Sequence, residues 1–214
     1  MVRRTKEDAL ATRQSLLDAA ELLFQSQGVS RTSLNDIARK AGTTRGAIYW
    51  HFKDKADLFN AMMERVTLPL EQAFQDLGKD LASDPLDRIR QVMRDALHQI
   101  ANDARTRRVF EVVTQKVEYI DELQAVRQRH LRCRNEFLMQ VELGLTLAAT
   151  RRDLVLQISF ANAAQGLHAM VDGLIQNWLL DTEAFDLPAT SEQVIDIYLT
   201  GLGFSVGASS ANRQ

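Results

Sequence analysis

The sequence predicts an all-α fold of about nine helices, with a small N-terminal three-helix domain followed by a larger helical domain. Apolar residues recur at intervals of three and four along most of the chain, which is the period of a helix with one buried face. Only three prolines occur, at positions 69, 85 and 188. The alternation of β-branched and polar residues that indicates strands is absent from the sequence.

Composition and charge narrow the class of protein. The chain has 214 residues, of which 45% are hydrophobic, enough to bury a core in one or two domains. A single cysteine, Cys133, excludes an internal disulfide framework and a cysteine-based zinc site. No signal peptide or membrane-length apolar run is present, so we expect a cytoplasmic protein that does not enter the membrane.

Charge is distributed unevenly along the chain. Residues 1–55 carry 10 Lys or Arg against 6 Asp or Glu, whereas the remainder carries 16 against 22. A basic N-terminal part followed by an acidic body restricts polyanion binding to the N-terminal part.

The first two helices are predicted from short-range signals. An apolar stripe over Thr12–Gln27 predicts the first helix, and Gly28 ends it. Ser33 stands three residues before Asp36, which is the spacing of a capping box, so a second helix begins near Leu34.

A third helix follows a tight turn. Gly42 supplies the positive φ common after a helix end, and Thr43 or Thr44 then caps a helix that runs to about Phe52. The outward positions of this helix carry Arg45, Tyr49, Trp50 and His51. Such a surface suits DNA, because arginine bonds to guanine in the major groove and aromatic edges pack on thymine methyl groups. A purely structural helical hairpin with half-buried rings is the other interpretation.

The run from Leu16 to Phe59 resembles the DNA-binding domain of the TetR family of transcriptional repressors, through the sequence LLDAAELLFQSQGVSRTSLNDIARKAGTTRGAIYWHFKDKADLF. The opening RRTKEDALATRQ and the later DARTRR, QKVEY and VDGLI segments further resemble the AcrR-like branch, which represses multidrug efflux pumps. The resemblance implies a helix-turn-helix domain at residues 1–54 and a ligand-binding and dimerisation domain at residues 55–206, which opens with a connecting helix at 55–78. The tail at residues 207–214 is predicted to be disordered.

We expect DNA contacts from both the basic N-terminal arm and the helix-turn-helix. In the family such an arm reaches the DNA backbone or minor groove, although a basic terminus is equally often a solvated tail. Arg45 and Tyr49 are expected to read bases, while Ser33, His51 and Lys55 hold phosphates. The predicted DNA-binding residues are Arg3, Arg4, Ser33, Thr43, Thr44, Arg45, Gly46, Tyr49, Trp50, His51, Lys53 and Lys55.

The larger domain is predicted to begin with the connecting helix Lys55–Gly78. Pro69 should kink or interrupt this helix, because its ring removes an N–H group and clashes with the preceding turn. Asp84 and Pro85 start the next helix as a cap followed by proline at the first helical position. Apolar periodicity predicts further helices over Asp103 to about Gln115, Ile120–Thr150, about Ser159–Leu180 and about Ser191–Phe204.

The helix predicted over Ser159–Leu180 is apolar over more than one face, and the last helix can cover only part of it. In the family, the last two helices of each subunit pack against those of a second subunit about a twofold axis, which matches a palindromic operator. We therefore expect a homodimer whose interface includes Leu174, Trp178, Ile197 and Tyr198.

A polar line on the same helix is either a solvated stripe or part of a ligand cavity. The resemblance places the VDGLI segment, with Asp172, beside the inducer pocket. A roomy apolar pocket with one acidic group suits bulky planar or cationic drugs. The predicted ligand-binding residues are Met93, Leu97, Phe110, Val113, Thr114, Phe137, Val141, His168, Asp172 and Gln176.

No catalytic pattern is found in the sequence. The four histidines lie on separate segments without metal-ligand spacing, and no phosphate-binding loop or nucleophile motif occurs. We therefore expect no enzyme activity, no metal and no cofactor. The expected function is a repressor that binds a palindromic operator as a dimer, is released by hydrophobic inducers and controls an efflux-pump operon. The alternatives are a ligand-independent architectural DNA-binding protein and a TetR-type regulator of a metabolic operon.

Overall fold

A computed structural model describes residues 6–75, 83–118 and 123–206 of the chain. These ranges contain nine α-helices and no strand, so the all-α prediction is confirmed. Arg3 and Arg4, and the predicted disordered tail, lie outside the described residues. The helices are α1 (Lys6–Gln27), α2 (Leu34–Lys40), α3 (Arg45–His51), α4 (Lys55–Gln75), α5 (Pro85–Asn102), α6 (Ala104–Gln115), α7 (Gln124–Arg151), α8 (Phe160–Leu180) and α9 (Leu187–Gly201).

The local signals around α2 and α3 are confirmed. Ser33 and Asp36 form the predicted capping box at the start of α2. Thr44 is the N-cap of α3, and its side chain accepts a hydrogen bond from the third helical residue. Gly28 and Gly42 follow α1 and α2 with φ angles of +83° and +67°, a region that glycine occupies without strain.

Three helices differ from their predicted bounds. α1 extends upstream of the predicted start at Thr12 as far as Lys6, the first residue that the structure describes. α4 is helical on both sides of Pro69, so the predicted interruption is not found, while a kink at Pro69 stays a prediction. α9 begins at Leu187 rather than Ser191, because the Asp186 side chain caps the helix and a proline lies in its first turn.

Packing divides the chain into two compact units that do not follow the predicted boundary at residue 54. The first unit comprises Met1–Pro69 and Asp103–Cys133, and the second comprises Leu70–Asn102 and Arg134–Gln214. α6, which was assigned to the ligand-binding domain, therefore packs with the N-terminal helices. The functional division at residue 54 stays a prediction.

The core of the first unit explains why it includes α6. Val109 and Val112 are fully buried in the same apolar cluster as Ile48 of α3. Phe24 of α1 and Phe59 of α4 meet in this cluster with ring centroids 5.8 Å apart. The apolar stripe of α1 is buried at Leu16, Leu17, Ala20 and Phe24 and partly buried at Leu23, and α4 buries Leu58, Met62 and Val66.

Charged side chains also hold α1, α4 and α6 together in the first unit. Glu21 of α1 is only 1% exposed, and its carboxylate contacts the Arg65 guanidinium of α4 and lies 3.3 Å from the Arg108 guanidinium of α6. Arg65 also bonds Asp18 at 2.7 Å. Burial raises the pKa of the Glu21 carboxyl, although its contacts with Arg65 and Arg105 oppose that rise. The cluster therefore depends on the arginines for its stability.

In the second unit, ion pairs join α5 to α9. The Arg90 guanidinium donates two hydrogen bonds of 2.7 Å to the Asp196 carboxylate, and Arg94 lies 2.7 Å from Glu192. The Asp196 hydrogen bond, which is the largest influence, raises the pKa of Arg90. The paired fork geometry fixes the rotation of α9 against α5.

Close packing joins α8 to α9. The Tyr198 hydroxyl donates a hydrogen bond of 2.9 Å to the carbonyl oxygen of Ala163. A Cβ atom at Gly166 would lie 2.3 Å from that hydroxyl oxygen, so only glycine admits the Tyr198 ring at this crossing. Among the described residues, no helix combines the length and the hydropathy needed to cross a membrane.

Candidate nucleic-acid interface

The packing of α3 determines which of its side chains face solvent. Ile48 is fully buried and Phe52, just after the helix, is 2% exposed, so both anchor α3 to the core. Tyr49 is 49% exposed and Trp50 is 74% exposed, as expected for the outward positions. Two large rings left in solvent on a seven-residue helix indicate a surface that binds another molecule.

Contacts between neighbouring side chains orient the outward face of α3. The Arg45 guanidinium carbon lies 5.7 Å from the centre of the Tyr49 ring, within the range of a cation–π interaction. The Trp50 and His51 rings meet edge-on with centroids 4.6 Å apart. These contacts restrict the rotamers of four predicted DNA-binding residues and reduce the entropy lost on binding.

A groove of about 620 Å³ lies beside α3. Two stretches of the chain line it: one runs from the α1–α2 turn into α2, and the other comprises part of α3 and the residues that follow it. Arginine and lysine side chains outnumber the one acidic residue, so the groove favours a polyanion. The lining residues are Ser30, Arg31, Thr32, Ser33, Leu34, Asn35, Arg45, Tyr49, Lys53, Asp54 and Lys55.

Gly46 is exposed in the first turn of α3 and has no packing reason to be glycine. A Cβ atom at this position would meet only the Thr44 hydroxyl oxygen, at 4.0 Å, and its φ is not in the left-handed region. Glycine in a helix costs about 0.5–1 kcal/mol relative to alanine. The exposed glycine therefore leaves room for another molecule to approach the backbone at the start of α3.

Ser33 caps α2 through both its hydroxyl and its backbone N–H. Its hydroxyl donates to the Asp36 carboxylate at 2.6 Å and accepts from the Asp36 backbone N–H at 3.2 Å. Its own backbone N–H also donates to the Asp36 carboxylate, at 3.2 Å. The hydrogen bond from the Ser33 hydroxyl is the main cause of a lowered pKa at Asp36. Both donors of Ser33 thus bond Asp36 in the absence of DNA, and the predicted phosphate contact of Ser33 stays a prediction.

Lys55 likewise bonds within the protein. Its side chain is buried, and its ammonium group lies 3.5 Å from the carbonyl oxygen of Ser30 and 3.3 Å from that of Thr32. It therefore fastens the start of α4 to the α1–α2 turn. In the structure without DNA the ammonium group faces backbone carbonyls, and the predicted phosphate contact of Lys55 stays a prediction.

Sequence reasoning missed two exposed groove residues, Arg31 and Asn35. Arg31 precedes the cap of α2, and nothing in its spacing distinguished it from a solvated charge. Lys53, which was predicted, is exposed in the same groove, while its backbone N–H donates to Asp57. Thr43 lies in the turn before α3 and donates its backbone N–H to the Ala38 carbonyl oxygen.

The predicted ligand-binding residues fall in both units. In the first unit, Val113 packs on the apolar core and the Thr114 hydroxyl donates to the carbonyl oxygen of Phe110 at 2.8 Å. In the second unit, two pairs of predicted residues come together: the Phe137 and His168 rings, 5.3 Å apart, and Gln176 and Asp172, joined by a hydrogen bond of 2.6 Å. The buried members of the second unit are Met93, Leu97 and Val141. A shared pocket stays a prediction.

The predicted dimer residues differ in exposure. Ile197 is 71% exposed on α9, and Leu180 at the end of α8 is 75% exposed. Leu174 is partly exposed, whereas Trp178 is 5% exposed and already packed within the subunit. The described residues contain no cluster of His, Cys, Asp or Glu that could hold a metal ion.

Two protein-family models match the chain. Residues 16–62 match the model described as bacterial regulatory proteins, tetR family. Residues 84–204 match the model of the C-terminal region of MAATS-type transcriptional repressors. The first match contains the whole of α2 and α3, with the residues that line the groove.

Relatives match along nearly the whole chain. The HTH-type transcriptional regulator TtgR of Pseudomonas putida is 38% identical over 96% of this chain and 98% of its own length. NalD is a repressor of the MexAB-OprM multidrug efflux pump in Pseudomonas aeruginosa, and its crystal structure matches this chain with a TM-score of 0.83. The two sequences are 36% identical, and the match covers 92% of this chain and 98% of NalD. SmeT in its complex with triclosan is 31% identical in sequence to this chain, with a TM-score of 0.80, and the match covers 95% of this chain and 99% of SmeT. SmeT represses the multidrug efflux pump SmeDEF of Stenotrophomonas maltophilia.

Proposed function

The chain belongs to the TetR family of bacterial transcriptional regulators, and from this premise we propose that it is a ligand-responsive repressor of a multidrug efflux-pump operon. One observation carries the proposal: α3 exposes Arg45, Tyr49 and Trp50 beside a basic groove, in a chain similar along its length to efflux-pump repressors. Such a protein acts in the cytoplasm, where the chromosome lies, and needs no catalytic group.

DNA recognition is divided between base and backbone contacts. Arg45 and Tyr49 project from α3, the helix that enters the major groove in helix-turn-helix proteins, so they are proposed to read base edges. Lys53, in the same groove, is proposed to contact phosphates. This division predicts that Arg45→Ala changes the base preference of the protein, whereas Lys53→Ala lowers its affinity for all DNA sequences alike.

Dimerisation supplies the second half-site. Ile197 and Leu180 leave apolar surface exposed on α9 and at the end of α8, which a second subunit would cover. Ile197→Arg should place an unpaired charge in that interface and lower the mass observed by sedimentation to that of a monomer. A monomeric wild-type protein at micromolar concentration would contradict the proposed dimer.

Release by a hydrophobic ligand is proposed by likeness to SmeT, which forms a complex with triclosan. A dimer holds its two recognition helices at a fixed separation, so a ligand that favours another separation lowers DNA affinity. By thermodynamic reciprocity, DNA then lowers ligand affinity by the same factor. Phe137, His168 and Asp172 are proposed as ligand contacts in the second unit.

The proposed function is tested with DNA selected by the protein from a random duplex library. A repressor should recover a palindromic sequence and bind it about 10³-fold or more tightly than unrelated DNA. The selected duplex should be released when triclosan is added. Recovery of no consensus, with equal affinity for all duplexes, would favour the architectural DNA-binding alternative.

A further inference from the structure

The groove beside α3 contains exposed polar groups that the sequence did not indicate as DNA contacts. The Ser33 donors are used by Asp36, and the Lys55 ammonium group faces the carbonyls of Ser30 and Thr32. Lys53 follows α3, on only one of the two stretches that line the groove. On the stretch formed by the α1–α2 turn and the start of α2, Arg31 is the cationic side chain among the lining residues.

The end of α1 already orients Arg31. Its Nε donates a hydrogen bond of 2.8 Å to the carbonyl oxygen of Gln27, the last residue of α1. The side chain is exposed and lines the groove. Because Nε is bound, part of the rotamer entropy of the arginine is lost before DNA arrives. The two terminal nitrogens of the guanidinium remain available for a phosphate.

The turn that carries Arg31 is itself fixed. The Val29 backbone N–H donates to the carbonyl oxygen of Lys116 at 3.1 Å, and the Ser30 hydroxyl donates to the Glu118 carboxylate at 3.2 Å. These contacts, all within the first unit, restrain the backbone on which Arg31 stands. A guanidinium held at a fixed place matches the oxygen spacing of a phosphate and gives a stronger contact than a mobile charge.

From these contacts we propose that Arg31 is pre-oriented to contact the DNA backbone. This contact sets the position of the helix-turn-helix domain on the operator without reading the base sequence. The inference rests on the proposed function, since it concerns the same DNA surface. Arg31 lies before α2 rather than on α3, so it is placed to touch the backbone while α3 occupies the major groove. It adds a cationic phosphate contact to those predicted for Ser33 and Lys55.

The test compares Arg31→Ala with a matched control, Arg39→Ala. Arg39 is also an exposed arginine in the first unit, but it pairs with Asp36 at 2.7 Å and does not line the groove. Affinity for the selected operator is measured by fluorescence anisotropy at several KCl concentrations. Each lost phosphate contact lowers the slope of log K against log salt by about 0.9, so the dimeric Arg31→Ala variant should lose about two units of slope.

Three further expectations separate a phosphate contact from other roles. Arg31→Ala should weaken binding about tenfold or more, and equally for operators with single base-pair changes. Arg31→Lys should recover the slope in part, because the charge remains but the fork geometry does not. Arg39→Ala should keep the wild-type slope, and both alanine variants should keep the wild-type circular dichroism spectrum and Tm.

The outcomes are distinct. An unchanged slope in Arg31→Ala would overturn the inference while leaving the proposed function intact. A changed base preference with an unchanged slope would make Arg31 a base contact and would also overturn it. Absence of sequence-selective binding by the wild-type protein would overturn the proposed function and the inference together.

Discussion

Gly46 offers a substitution whose effects on folding and on DNA binding should have opposite signs. An alanine methyl group at this position would meet only the Thr44 hydroxyl oxygen, at 4.0 Å. The backbone is helical there, so Gly46→Ala should stabilise the fold by about 0.4–1 kcal/mol, mainly by restricting the unfolded chain. For a chain of this length the corresponding rise in Tm is about 1–4 °C.

The same methyl group should weaken operator binding. Gly46 is exposed in the first turn of α3, between Arg45 and the rest of the recognition face. If DNA approaches the backbone here, the methyl group separates the two surfaces and the affinity falls by about tenfold or more, which corresponds to about 1.4 kcal/mol. Stability and affinity would then change in opposite directions.

Thermal unfolding and anisotropy with the selected operator measure the two effects on one preparation. Ser26→Ala is the matched control, because Ser26 is an exposed helical residue of α1 that does not line the groove, and its substitution should leave operator affinity unchanged. A Gly46→Ala variant that binds the operator as tightly as the wild-type protein would refute the close approach. A lower Tm in the Gly46→Ala variant would show that the fold itself requires glycine at this position.

Three other substitutions test the contacts around the groove. Lys55→Ala should lower the free energy of unfolding by about 1–3 kcal/mol in urea titrations, because it removes hydrogen bonds to buried carbonyls. Lys53→Ala should keep the free energy of unfolding within about 0.5 kcal/mol of the wild-type value. Equal stability of the two variants would contradict the buried role of Lys55. Ser33→Ala should raise the pKa of Asp36 toward its usual range in an NMR titration. The lowered pKa contributes stability at neutral pH that is lost as the pH falls through the folded-state pKa, so the variant should lose less stability on acidification than the wild-type protein. An unchanged pKa of Asp36 would contradict the capping box as the cause of its shift. Glu21→Ala should cost about 3 kcal/mol in urea, since it leaves the partly buried Arg65 and Arg108 without their central carboxylate, and a cost below about 1 kcal/mol would contradict that role.

The helix-turn-helix could be predicted from sequence because its determinants are local. The capping box of Ser33 and Asp36, the positive φ of Gly42 and the cap at Thr44 each depend on residues within a few positions. The exposed face of α3 followed once Ile48 was assigned to the core. Short-range patterns of this kind determine local structure before any tertiary contact forms.

The roles of individual polar groups could not be predicted, because they depend on contacts between distant residues. Lys55 bonds carbonyls more than twenty positions earlier in the chain, and its burial has no signal in its neighbours. Glu21 on the first helix meets Arg108 of α6, which lies 87 positions later in the chain and in the same unit. The anchoring of Arg31 on Gln27 is local, but an exposed arginine forms such a bond only when the turn has the right shape.

The most direct test of the account is a titration of triclosan into the complex of the protein with its selected operator, followed by fluorescence anisotropy. The account predicts that the free duplex is recovered as the ligand saturates the protein, and that added operator weakens triclosan binding by the same factor in the reciprocal titration. Triclosan that binds the protein while the operator complex stays intact would contradict release by this ligand, and with it the proposed mechanism of repression and induction.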